Sequence, residues 1–162
     1  MSECISLEKS IVDKLKEKNW QITCAESCTG GMIASALVNV AGVSEVLRES
    51  YVTYANSAKE KLLGVSGEAL EKWGAVSRQV AEQMAKGAAA KAGAQTAIAV
   101  TGIAGPDGGT SEKPVGLVFI GCFVNGETVV TENHFKGNRL EIRQQTTKAA
   151  LAQLLECLKQ QK

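Results

Sequence analysis

Histidine is almost missing from this sequence: His134 is the single one among 162 residues. It sits in a β-prone stretch beside Phe135, with no carboxylate at a telling spacing, and reads as an ordinary strand residue. A Ser-His-Asp triad needs a histidine, so that constellation is nearly excluded. An excess of one charge is missing too. The 18 basic and 17 acidic side chains leave a formal net charge of +1, and no Lys/Arg cluster is dense enough for a nucleic-acid footprint. No apolar run approaches the roughly 18 residues of a membrane span. The charged, helix-patterned stretch from Met1 to Asn19 lacks the apolar core and cleavage site of an export signal. A soluble, cytoplasmic protein is expected.

Cysteine pairing is absent as well. Cys4, Cys24, Cys28, Cys122 and Cys157 are odd in number and widely spaced, and no second pair completes a zinc ligand set. They read as reduced thiols, with no metal and no other cofactor expected. There is no linker, repeat or low-complexity tract. What remains is an ordinary globular composition, 44% hydrophobic and 22% charged, long enough for one domain over residues 1–162 with one buried core.

Hydrophobic spacing predicts an amphipathic helix over 7–20, a short strand at 21–25 and a small-residue helix over 30–40. A β-prone run follows at 50–54, then short helices ending at Gly64 and Gly74. Ser77 caps a long alanine-rich helix that Gly93 terminates. Buried strands are expected at 96–101 and 115–124, and Asn125-Gly126 marks a hairpin into a strand over 128–135. Asn138 caps a last helix whose Leu151, Leu154, Leu155 and Leu158 form a buried stripe. Strands alternating with helices and then a hairpin predict an α/β fold: a three-layer α/β/α sandwich around a mixed, mostly parallel sheet.

Three segments can carry chemistry. In Ala25-Glu26-Ser27-Cys28-Thr29-Gly30-Gly31 a strand meets a helix at a tight glycine turn. Free amides at Thr29, Gly30 and Gly31 would favour a phosphate or an oxyanion. Ser27 there is either a nucleophile on a strand-to-helix elbow or merely a helix cap; Cys28 is the rival nucleophile. In Tyr54-Ala55-Asn56-Ser57-Ala58-Lys59-Glu60, the pair Ser57 and Glu60 fits a capping box. Lys59 would then sit second in the helix, where the dipole favours its neutral, basic form. The alternative is a lysine that snorkels to solvent. Tyr54 stands near enough to relay a proton or donate a hydrogen bond.

The third segment, Thr101-Gly102-Ile103-Ala104-Gly105-Pro106-Asp107-Gly108-Gly109, follows a buried strand, where α/β crevices lie. It matches neither the P-loop nor the Rossmann spacing. It is a ligand loop whose amides approach closely, or a plain turn. Arg139 and Arg143, four apart at the start of the last helix, suit a phosphate or form a solvated pair. Glu26 and Asp107 are the acidic residues inside motifs, each able to orient a neighbour.

Together AESCTGG (25–31), Tyr-x-Asn-x-x-Lys (54–59), GAVS (74–77), TGIAGPDGG (101–109), KPVG (113–116) and FKGNR-x-x-x-R (135–143) resemble the CinA C-terminal domain family, the stand-alone nicotinamide-nucleotide amidohydrolases. The resemblance implies hydrolysis of nicotinamide mononucleotide to nicotinic acid mononucleotide and ammonia. It implies Ser27 as nucleophile with Lys59 and Tyr54 assisting. Thr29, Gly30, Gly31, Asn56, Thr101, Gly102, Gly105, Arg139 and Arg143 are the expected substrate contacts. The partner is thus a small nucleotide rather than nucleic acid or membrane, and self-association stays open. Two departures stand out: Gly137-Asn138-Arg139 replaces the family's Gly-Asp-Arg, and Ala55 stands where Ser is frequent. The N-terminal domain of larger members is not expected here. A nucleotide-phosphate-binding module without chemistry and a serine–lysine amidase for another small amide are the alternatives.

Overall fold

A computed structural model describes residues 6–161; Cys4 and the first residues of the expected N-terminal stretch lie outside them. The elements in chain order are α1 (Leu7–Lys18), β1 (Ile22–Glu26), α2 (Met32–Val38), β2 (Tyr51–Val52), α3 (Asn56–Leu63), α4 (Gly67–Trp73), α5 (Arg78–Ala92), β3 (Thr96–Gly102), β4 (Leu117–Val124), β5 (Glu127–His134) and α6 (Arg139–Gln160). The strands form one sheet in the order β2-β1-β3-β4-β5. β1 is parallel to both β2 and β3, whereas β4 is antiparallel to β3 and β5. All strands but β4 therefore point the same way, as the alternating pattern predicts.

Two kinds of residue row explain how the helices pack. On one face Cys24, Ile98 and Cys122 lie side by side across β1, β3 and β4, in a core with Ile11 and Leu15 of α1, Ile33 and Leu37 of α2, and Leu151 and Leu154 of α6. On the opposite face the neighbouring row is Ala25, Ala99 and Gly121. That row is a shallow trough, and α5 settles into it with Ala85 and Ala88. A Cβ on Gly121 would stand 2.9 Å from the Ala81 carbonyl oxygen of α5. The alanine richness of α5 thus follows from a close approach to the sheet, not from helix propensity alone. Gly87 serves the same packing on the helix's outer side, where a Cβ would overlap the Leu63 carbonyl.

Some expected boundaries shift. The β-prone run 50–54 yields only a two-residue strand, whose pairing to β1 ends with the Thr53 amide donating to the Glu26 carbonyl at 2.9 Å. The fourth strand starts at Leu117 rather than Val115, since Gly116 turns with φ +94° and donates to the Ile103 carbonyl. Among the described residues no helix is long and apolar enough to cross a membrane.

β1 is flanked by β2 on one side and β3 on the other. The connection leaving β1 runs outward to β2, and the one leaving β3 runs the other way to β4. A crevice opens where chain connections diverge at the carboxyl ends of strands, and Ser27 follows β1 at that point. Gly87→Ala is expected to destabilise the fold by roughly 3 kcal/mol, because backbone must move to admit one methyl group. Urea unfolding of the two proteins measures it.

Candidate active site

Ser27 is the first residue past β1, and its amide still donates to Val100 of β3 at 3.2 Å. The chain then reverses within four residues, helped by Gly30 and Gly31, both at positive φ. Two charged side chains, buried Glu26 and half-buried Arg143, hold this turn. From inside, the fully buried Glu26 carboxylate accepts from Thr29 Oγ1 at 2.6 Å and from the amides of Ile33 and Ala34 at 2.9 and 3.1 Å. From α6, Arg143 donates to the carbonyls of Cys28 and Thr29 at 2.9 and 3.1 Å.

This arrangement corrects one expectation. The amide end of α2 is already occupied by Glu26, so it offers no open anion site. Thr29 turns inward to Glu26, Arg143 is spent on the turn, and Gly30 and Gly31 border a separate depression. None of these four lines the cleft beside Ser27.

Lys59 reaches Ser27 from α3. The helix begins at Asn56 with extended Ala55 as its cap and no side-chain capping bond. The expected Ser57–Glu60 capping box is therefore not formed, and Lys59 is the fourth helical residue rather than the second. Helical side chains lean toward the N-terminus, which carries the amine back over the preceding segment. There Nζ donates to the carbonyls of Thr53 (2.8 Å) and Tyr54 (3.3 Å) and stands 3.1 Å from Ser27 Oγ. The residue is 1% exposed and has no ion-pair partner among the described residues. Burial holds its pKa below the usual lysine value of 10.5. Desolvation, not the helix dipole, is the cause.

A cleft of about 280 Å³ opens over this pair. It gathers Ser27, Tyr54, Asn56, Lys59, Thr101, Gly102, Gly105 and Arg139 from the expected residues, with Cys28 and Asp107 beside them. Thr101 holds the wall by donating to the Ala75 carbonyl at 2.8 Å. Tyr54 is 62% exposed, and its hydroxyl accepts from Arg139 at 2.9 Å. The hydroxyl is bonded to neither Ser27 nor Lys59, so a direct lysine–serine contact stands where a relay through the phenol was expected. Arg139 also donates to the Gly105 carbonyl at 2.7 Å, tying the loop to α6.

The loop's glycines have a different purpose from the expected one. A Cβ on Gly102 would stand 2.6 Å from Val118 Cγ2, and one on Gly105 2.5 Å from Val115 Cγ1. They let the loop pack on the Val115–Val118 stretch while it lines the cleft. Cys28 is a poor rival to the serine: burial pushes its thiol up to about 11, against the opposing pull of its own amide and Arg143, and a thiol is a weak nucleophile. Asn138, where the family pattern has an aspartate, caps α6. Its Oδ1 accepts from the Glu141 amide at 3.0 Å and Glu141 answers to the Asn138 amide at 2.7 Å.

The sequence matches the model of the CinA C-terminal domain over residues 5–158. The chain belongs to that family. A CinA-like protein of Kosmotoga olearia is 51% identical over 146 residues, 90% of this chain and 35% of that protein. The chain thus spans about a third of the length of such curated relatives. Two crystal structures match it nearly end to end. The competence/damage inducible protein CihA of Agrobacterium tumefaciens has a TM-score of 0.91 at 46% identity, covering 95% of this chain and 94% of that one. The competence damage-inducible protein A of Klebsiella pneumoniae has a TM-score of 0.93 at 35% identity, covering 96% and 97%.

Removing the inner support of the CinA-domain elbow should be costly. Glu26→Ala strands the buried Ile33 amide, the partly buried Ala34 amide and the Thr29 hydroxyl, and is expected to lower unfolding free energy by about 3 kcal/mol. Thermal unfolding of the variant against the parent tests this.

Proposed function

We propose that the chain hydrolyses the carboxamide of nicotinamide mononucleotide, giving nicotinic acid mononucleotide and ammonia, with Ser27 as nucleophile and Lys59 as its base. The observation that carries this reading is the 3.1 Å contact between Lys59 Nζ and Ser27 Oγ, made by a buried amine without a counter-ion. A neutral amine has two N–H groups and one lone pair. With the carbonyls of Thr53 and Tyr54 taking the two N–H groups, the lone pair is left for the serine proton.

Ser27 Oγ attacks the carboxamide carbon as its proton passes to Lys59. The resulting oxyanion is held by amides of the Ala104–Gly105 stretch, which have no backbone acceptor of their own among the described residues. Lys59 returns the proton to the nitrogen as the C–N bond breaks, and ammonia leaves. Water, deprotonated by the same amine, then cleaves the acyl ester and restores Ser27. Arg139 receives the phosphate with the N–H groups not used on Gly105 and Tyr54, and Asn56 and the Tyr54 ring border the sugar and base. Such a phosphorylated substrate assigns the protein to the cytoplasm.

An ammonia-coupled assay on nicotinamide mononucleotide tests the proposal. Ser27→Ala and Lys59→Met are each expected to lose at least about 10³-fold in kcat, and the double variant little more, because the pair acts as one unit. Stabilisation by the nucleotide without ammonia release would leave only a binding module.

The pH profile has a definite sign. Lys59 is a base only when unprotonated, so kcat/KM should fall as pH drops through its pKa, and that limb must lie below pH 10.5. Stability moves the same way: the unfolded chain binds the lysine proton more tightly, so this residue's contribution grows as pH rises between its folded and unfolded values. Rate measurements from neutral to alkaline pH locate the limb; its persistence in an ammonia-releasing Lys59→Met protein would exclude Lys59 as its source.

A further inference from the structure

Two opposite charges share the cleft without pairing. Asp107 is its single acidic lining residue, and it has no ion-pair partner among the described residues. Arg139 is the guanidinium of the lining, and its hydrogen bonds go to the Gly105 carbonyl and the Tyr54 phenol, neither of which neutralises it. Opposite charges in one cleft that leave each other free are matched by a ligand carrying both signs at separated points. A purely anionic ligand would be repelled by Asp107, and a neutral amide would draw on neither charge.

We propose that Asp107 is a specificity residue that reads the positive charge of an N-substituted pyridinium ring, while Arg139 takes the anionic end of the same molecule. The inference rests on the function proposed above and narrows it: the cleft selects zwitterionic ring carboxamides over those with a neutral ring. The charge lies in the ring that bears the scissile carboxamide, so a carboxylate beside it also orients that group over Ser27. Tyr54 supports the selection, since an exposed aromatic face attracts a cation.

The test separates ring charge from ring shape. Oxidised nicotinamide mononucleotide and its 1,4-dihydro form differ chiefly in ring charge and ring planarity. Their dissociation constants are measured by calorimetry on the Ser27→Ala protein, which does not turn them over. The oxidised form is expected to bind about tenfold more tightly, the strength of a partly solvated charge contact. Asp107→Asn should erase most of that ratio, Asp107→Glu should retain it, and added salt should shrink it. The proposal is overturned if the ratio survives in Asp107→Asn, if that variant loses both ligands equally, or if neither form binds. Absence of ammonia release by the unmodified chain would instead sink the hydrolytic function and leave the binding ratio to be read on its own.

Discussion

The site depends on a lysine amine taken out of water without a counter-ion among the described residues. Burying a charged ammonium is expensive unless it is paired, and the surroundings of Lys59 offer carbonyl dipoles instead of a carboxylate. Those carbonyls accept the amine's N–H groups, while burial disfavours its charged form. In the proposed mechanism the amine accepts a proton and gives it back between these same partners. A carboxylate in the place of the Thr53 carbonyl would hold the lysine permanently charged and useless as a base.

That constraint explains several features that look unrelated along the chain. β2 is only two residues long because the strand must stop at once, so that the Thr53 and Tyr54 carbonyls turn toward the amine. α3 must start without a side-chain cap, placing Lys59 one turn in, from where it reaches backward. On the other side Ser27 has to be held rigidly, by one buried and one half-buried charged side chain. Glu26 ties the elbow to α2, and Arg143 ties it to α6. Each grips backbone or hydroxyl atoms of 28–34, so neither competes for the amine. The family resemblance at this turn is thus a resemblance in scaffolding as much as in chemistry.

Much of the fold was legible in the sequence because hydrophobic period, capping residues and the Asn125-Gly126 turn agree with one another. The helix ends at Gly64, Gly74 and Gly93 follow directly from residue type. The candidate site was legible in its membership but not in its causes. Ser57 and Glu60 satisfy a capping pattern that the chain does not use, since extended Ala55 fixes the helix start. No local pattern announces that Glu26, rather than a ligand, fills the end of α2, because its partners at 33 and 34 lie a helical turn further on. Likewise, the glycines of 102–109 look like a phosphate cradle in sequence, whereas their spacing answers to Val115 and Val118, which only the fold brings near.

Moving Glu26 into the amide end of α2 also redistributes what the cleft can recognise. Under the proposed function the phosphate of a mononucleotide is not set on that helix, and its anionic group is met on the other wall, where Arg139 stands between Tyr54 and Gly105. The two ends of a ligand are then read by residues that also hold the site together: Arg139 links α6 to the loop, and the loop carries both the free amides and Asp107. The proposed recognition and the proposed oxyanion stabilisation are therefore coupled through one segment. In that reading a ligand that engages Arg139 and Asp107 together steadies the amides proposed to hold the oxyanion, so interactions remote from the scissile bond are spent on the chemical step.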